Sequence, residues 1–122
     1  MRIWIADGDK KRMKQLYKRT LENGYEKKEL KKFSSTDKII GCLKKNKCDV
    51  LFIGVDDPGF NWVSVITNIK NACPRCNLIF VCDSGDIDSR CVYYRISGYL
   101  QRPFTKETVR TELDNLRFAV EN

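Results

Sequence analysis

Five short apolar runs alternate with amphipathic stretches of helical period along the 122 residues, and this alternation constrains the fold more than any other feature of the chain. Arg2 to Ala6 has a strand pattern. After Asp7-Gly8-Asp9, the positions Met13, Leu16, Tyr17 and Leu21 keep the 3.6-residue period of a helix, which Asp9 is placed to cap. Asn23-Gly24 ends that helix. Glu29 to Phe33 reads as a second strand, and Ser34-Ser35-Thr36 offers an N-cap for a helix through Ile39, Ile40 and Leu43. Asp49 to Ile53 supplies a third strand, Val63, Ile66 and Ile69 mark a third helix, and Leu78 to Cys82 a fourth strand. Asp86 to Ile96 reads as a fourth helix, Gly98 to Gln101 as a fifth strand, and Lys106 to Val120 as a last helix with Val109, Leu113, Leu116 and Val120 on its apolar face.

Parallel strands need crossover connections, and helices of this length supply them. The expected architecture is therefore α/β: one domain over residues 1–122, with a five-stranded parallel sheet and helices on both faces. A chain of this length buries one core. No apolar stretch approaches the roughly 18 residues that a membrane span requires. The sequence opens directly into its first strand pattern without the features of a secretory leader, so a cytoplasmic location is expected, with no membrane partner.

The net charge of +7 is uneven: residues 1–50 carry 15 Lys+Arg against 7 Asp+Glu, and residues 51–122 carry 8 against 9. Runs such as Lys10-Lys11-Arg12, Lys27-Lys28 and Lys44-Lys45 have apolar residues between them at helical spacing and read as solvated helix faces. They lack the interleaved aromatics that stack bases, so direct binding of nucleic acid by this domain is not expected.

Six cysteines and no histidine raise the question of metal or redox chemistry. Cys42, Cys48, Cys82 and Cys91 read as reduced thiols acting as small apolar residues. Cys73-Pro-Arg-Cys76 is the one suggestive spacing. A structural zinc site needs four ligands and the chain has no second such pair, so no metal is expected. The CxxC precedes an apolar strand instead of opening a helix, where the helix dipole would favour a thiolate. A thiol-redox role for Cys73 and Cys76 stands as an alternative, predicting reversible loss of two thiols on oxidation.

Two segments carry a family resemblance. Cys48-Asp-Val-Leu-Phe-Ile-Gly-Val-Asp-Asp-Pro-Gly59 is an apolar run broken by a turn, and Ser97-Gly-Tyr-Leu-Gln-Arg-Pro-Phe-Thr105 leads through a proline turn to the last helix. Both resemble segments of the CheY-like receiver domain of two-component response regulators, and the likeness extends over nearly the whole chain. The resemblance implies a flavodoxin-like receiver fold with strand order 2-1-3-4-5. It also implies a bond before Pro103 that is commonly cis in the family, cis being least costly before proline. In such a sheet the functional crevice lies beyond the carboxyl ends of the strands, around Asp7, Gly8, Gly54, Cys82 and Arg102.

Residue by residue, the receiver chemistry is depleted. Gly54 stands where the family has its phosphate-accepting aspartate and offers no nucleophile. Of the acids after strand one that would hold magnesium, the first matches Asp7, the second is Gly8, and Asp9 corresponds to an acid one place further on, so magnesium binding is expected to be weak or absent. Cys82 replaces a hydroxyl with a weaker donor. Arg102 replaces a lysine, keeping the charge on a planar, bulkier group. Asp56 lies two positions past Gly54, and Asp57-Pro58-Gly59 has turn composition. Either carboxylate is the acceptor if the chain is phosphorylated unconventionally.

The resemblance thus implies a non-enzymatic pseudo-receiver in which Arg102 pairs permanently with Asp7 or Asp9. Tyr99 matches an aromatic that reorients on activation, and Pro103 and Phe104 share its segment. Partners are expected at the face made by the fourth helix, fifth strand and last helix, as a homodimer or another protein. The chain also resembles receivers joined to DNA-binding output domains of the LytTR class, which would lie outside these residues.

Overall fold

Every residue of strands β1 (Ile3–Ala6) and β3 (Val50–Gly54) is buried, as a parallel sheet covered on both faces requires. β2 (Leu30–Phe33), β4 (Asn77–Asp83) and β5 (Gly98–Arg102) complete one all-parallel sheet in the order β2-β1-β3-β4-β5. The computed structural model describes residues 1–83 and 93–120. Within these, α1 (Lys10–Leu21), α2 (Thr36–Leu43), α3 (Trp62–Ala72) and α4 (Lys106–Asp114) cover the sheet, and Lys27–Glu29 form a single 3-10 turn. The fold class and strand order are those expected. Most of the stretch read as a fourth helix, Asp86 to Ile96, lies outside the described residues, and so does Cys91.

Alternate residues of each strand feed two separate cores. Trp4, Ala6, Leu51, Ile53, Leu78 and Phe80 pack on one face with Ile39 of α2 and Val65, Ile66 and Ile69 of α3. Ile3, Ile5, Val50, Phe52, Ile79, Val81 and Leu100 pack on the other with Met13 and Leu16 of α1 and Val109 and Leu113 of α4. The period of two along a strand enforces this division, since neighbouring side chains must leave opposite faces.

Helix faces and ends differ from the sequence expectation in three places. In α3 the buried positions are Trp62, Val65, Ile66 and Ile69, while Val63 is only partly buried. A Trp side chain covers more core than a Val and sets the helix rotation. Lys27-Lys28 lie on the 3-10 turn and Lys44-Lys45 follow the end of α2, so neither pair forms a helix face.

The last helix stops at Asp114, leaving Leu116 and Val120 beyond it. Buried Asn77 explains this early end: its amide donates to the Phe118 carbonyl at 2.9 Å and accepts from the Phe118 N–H at 2.7 Å, while also donating to the Asp49 carbonyl at 3.1 Å. Arg117 N–H donates to Ser97 Oγ at 3.0 Å. These bonds hold the backbone of the tail across the amino end of the sheet in place of further helical turns. No helix among the described residues is long and apolar enough to cross a membrane.

Candidate functional site

The carboxyl ends of β1, β3, β4 and β5 bring Asp7, Gly54, Cys82, Asp83 and Arg102 to one rim of the sheet. In register, Ala6 lies beside Ile53, Gly54 beside Val81, Cys82 beside Gln101 and Asp83 beside Arg102. Sequence separation across this rim reaches 95 residues, between Asp7 and Arg102.

Arg102 organises the site. One terminal nitrogen, Nη2, donates to Asp7 Oδ2 at 2.9 Å; the other, Nη1, donates to Asp56 Oδ2 at 2.7 Å and Oδ1 at 3.0 Å, with Asp83 Oδ1 at 3.5 Å. The Arg102 and Asp7 side chains are only 9% and 6% exposed. A planar guanidinium suits this bridging because its two terminal nitrogens point to two acceptors at once, which an ammonium cannot match in fixed geometry. Burial alone would weaken the hold of Arg102 on its proton, but bonds and charge from Asp56, then Asp7, raise its pKa above the ordinary value. Burial would likewise raise Asp56, yet the Asp83 N–H and the Arg102 guanidinium bring its carboxyl below the usual range.

Asp7 is therefore bound by Arg102, as one of the two expected pairings has it. Asp9 is not the other partner: Asp56 is. Asp9 faces α1 instead, accepting from the N–H groups of Lys11 and Arg12 at 2.9 and 3.1 Å as the helix cap. The cap takes up Asp9 Oδ1, while Oδ2 faces the Arg12 guanidinium. Arg12 contributes a second cation near the rim, 3.6 Å from Asp9, 3.9 Å from Asp7 and 3.9 Å from Asp56.

The two glycines have lost more than side chains. A Cβ on Gly54 would lie 2.7 Å from Asp7 Oδ2 and 2.8 Å from its Cγ, so Asp7 fills the space an acceptor side chain would enter. A Cβ on Gly8 would collide with the Asp57 carboxylate. Asp57 also accepts from Gly59 N–H at 2.9 Å, the turn-closing bond its composition suggested. The β3–α3 loop thus returns two carboxylates to the rim, but aims one at Arg102 and the other over Gly8. Asp56 was expected in this pocket, but the sequence gives no sign that it bonds Arg102 or that Asp57 lies over Gly8.

The rim does not fit a magnesium ion in this arrangement. Asp7 and Asp56, the carboxylates best placed to hold one, are joined by the Arg102 guanidinium, and a dication between them would have to displace a buried cation. Cys82 is partly buried, and its thiol is pushed up first by burial and then by the Asp56 charge, so it stays protonated and weakly nucleophilic. Tyr99 is 41% exposed on β5. The Arg102–Pro103 peptide is cis, and Phe104 packs partly buried against the α1/α4 core.

The remaining cysteine motif gathers at the opposite end of the sheet. Cys73 caps the carboxyl end of α3, where the dipole opposes a thiolate, and Cys76 Sγ lies 3.1 Å from Cys48 Sγ. All three are buried. The Cys73 thiol is pushed far up, first by its bond to Cys48 and then by burial; at Cys48 the bond to Cys73 pulls the other way, but the bond to Cys76 and burial outweigh it and push that thiol far up as well. Cys76 Sγ thus sits beside Cys48 Sγ, a pairing that the CxxC spacing did not suggest.

No family model matches the sequence, and no curated protein matches it. Solved structures do. The chain is similar to the chemotaxis response regulator CheY4 of Vibrio cholerae, with a TM-score of 0.77 and 14% identity over 93% of this chain and 95% of that one. It is similar to the receiver domain of NtrX from Brucella abortus, with a TM-score of 0.79 and 12% identity over 92% and 94%. It is also similar to a two-component response regulator from Clostridium difficile, with a TM-score of 0.77 and 20% identity over 93% of each chain. Identities this low carry the fold alone, and with the strand order, the cis proline and the rim of acids that fold is the one found in response-regulator receiver domains.

Proposed function

We propose that the chain is a pseudo-receiver of two-component signalling, a non-enzymatic domain that transmits through protein contacts without accepting a phosphoryl group. One observation carries the reading: Arg102 clamps Asp7 and Asp56 together over a residue, Gly54, that has no side chain. In an active receiver the acids hold a metal and the cation meets the incoming phosphoryl oxygens. Here acids and cation neutralise one another. The reading places the protein in the cytoplasm, with partners or a second copy at the face that includes β5 and α4, where Tyr99 is half exposed. A LytTR-type output domain attached elsewhere would give it a role in transcription, and no nucleic acid is assigned to the domain itself.

Intact-mass spectrometry after incubation with acetyl phosphate and magnesium tests this, using the parent, Gly54→Asp, and Gly54→Asp with Arg102→Lys. The parent should stay unmodified. Gly54→Asp alone should accept poorly, because its Cβ meets Asp7 at 2.7 Å while Arg102 holds Asp7 in place. The double variant, freed of the bidentate clamp, should accept more. A phosphoryl adduct on the parent that disappears in Asp56→Asn or Asp57→Asn would sink the proposal and establish an unconventional acceptor.

A further inference from the structure

Beside the rim, α1 and the turn after β5 enclose a cleft of about 560 Å³. Arg12, Lys18, Arg19 and Arg102 line it with Gln15, and Asp83 is the one acid in its lining among the described residues. Pro103 and Phe104 form an apolar wall. Arg12, Gln15 and Arg19 follow one another at three and four residues along α1, so they share a helix face. The side chains of Lys18 and Gln15 have no bonded partner among the described residues.

We propose that this cleft binds an oligophosphate. Two further observations point to an anionic ligand. Arg102, whose side chain is nine-tenths buried, and Arg12 each carry a buried Nε–H with no acceptor among the described residues, and buried donors are normally paired. Arg12 also meets its three carboxylates only at 3.6–3.9 Å, as ion pairs with no hydrogen bond formed. Its donors therefore remain available to a closer acceptor.

The acids behind the cleft limit what can bind. Asp7, Asp9 and Asp56 already offset part of the charge on Arg12 and Arg102, and Glu22 accepts from Arg19 at 3.0 and 3.2 Å. A single phosphate would gain little from so compensated a site. From Arg12 to Arg19 is about 10 Å along the helix, so a chain of phosphates can meet both ends at once where a monophosphate cannot. Such a ligand would reach the same Arg102 that closes the rim, although the site requires nothing about phosphorylation and stands apart from the pseudo-receiver reading.

The test is calorimetric titration of the whole chain with sodium triphosphate and, separately, with ATP, at low and raised salt. The variants are Lys18→Ala with Arg19→Ala in the cleft, and Lys44→Ala with Lys45→Ala beyond α2 as the control. The cleft pair should weaken binding about tenfold or more while the control leaves it unchanged. Equal affinity for both ligands assigns binding to the phosphate chain alone; tighter ATP assigns the nucleoside to the Pro103 and Phe104 wall. No heat at millimolar ligand, or equal losses from the cleft and control variants, overturns the proposal, the second showing only diffuse attraction to a basic surface. Circular dichroism should show that both pairs of alanine variants retain the fold, Lys18 and Arg19 lying within α1 and Lys44 and Lys45 just past α2.

Discussion

Replacing Arg102 by methionine is the sharpest test of the clamp. The variant keeps an unbranched apolar stem but strands the Asp7 carboxylate, 6% exposed, beside Asp56 at the rim. Removing one partner of a buried ion pair costs about 3–5 kcal/mol. The low end applies here, because Asp56 is 27% exposed and Arg12 remains 3.9 Å from both acids. A loss of about 3 kcal/mol is expected, or about 12 °C in Tm for a domain of this size. Urea unfolding at pH 7 should show it as a lower midpoint with an unchanged slope. Asp7→Asn in the same background should recover part of the loss, since the stranded charge is gone while its Oδ1 can still accept from Asp9 N–H. A coupling of about 1–3 kcal/mol between the two substitutions is expected for groups in direct contact. A cost below about 1 kcal/mol for Arg102→Met, or simple additivity with Asp7→Asn, would refute the clamp as an energetic feature.

Three other measurements address separate parts of the fold. The Asp56 carboxyl is lower in the folded chain than unfolded, so its stabilisation is present above its unfolded pKa of about 3.9 and lost as pH falls through the folded value; Asp56→Asn should flatten the acid limb of the stability curve below about pH 4. Cys48, Cys73 and Cys76 should react with a thiol reagent at pH 8 only after denaturant is added, whereas immediate reaction would contradict their burial and the raised pKa of Cys48 and Cys73. Asn77→Ala should cost about 2–3 kcal/mol and expose the segment around Phe118 to protease, because it orphans both Phe118 backbone groups; unchanged stability and protection would mean that the tail is held by other contacts.

Much of this architecture was legible in the chain because the governing rules are local. Alternating strand and helix periods required crossovers, crossovers required parallel pairing, and Asp9 before a helical period announced its cap. Gly54 was equally plain, since an absent side chain cannot be supplied by folding. Tertiary structure decided which groups took up the released space and charge. Asp7 moved into the volume at Gly54, Asp57 covered Gly8, and Arg102 met Asp56 instead of Asp9, whose Oδ1 caps α1 and whose Oδ2 faces Arg12. Asn77 ended the last helix from across the sheet, and Cys48 was brought to 3.1 Å from Cys76. These outcomes depend on residues between 28 and 49 positions apart. Periodicity reports which face a side chain leaves, and only the packed sheet determines which distant charge or backbone group meets it there.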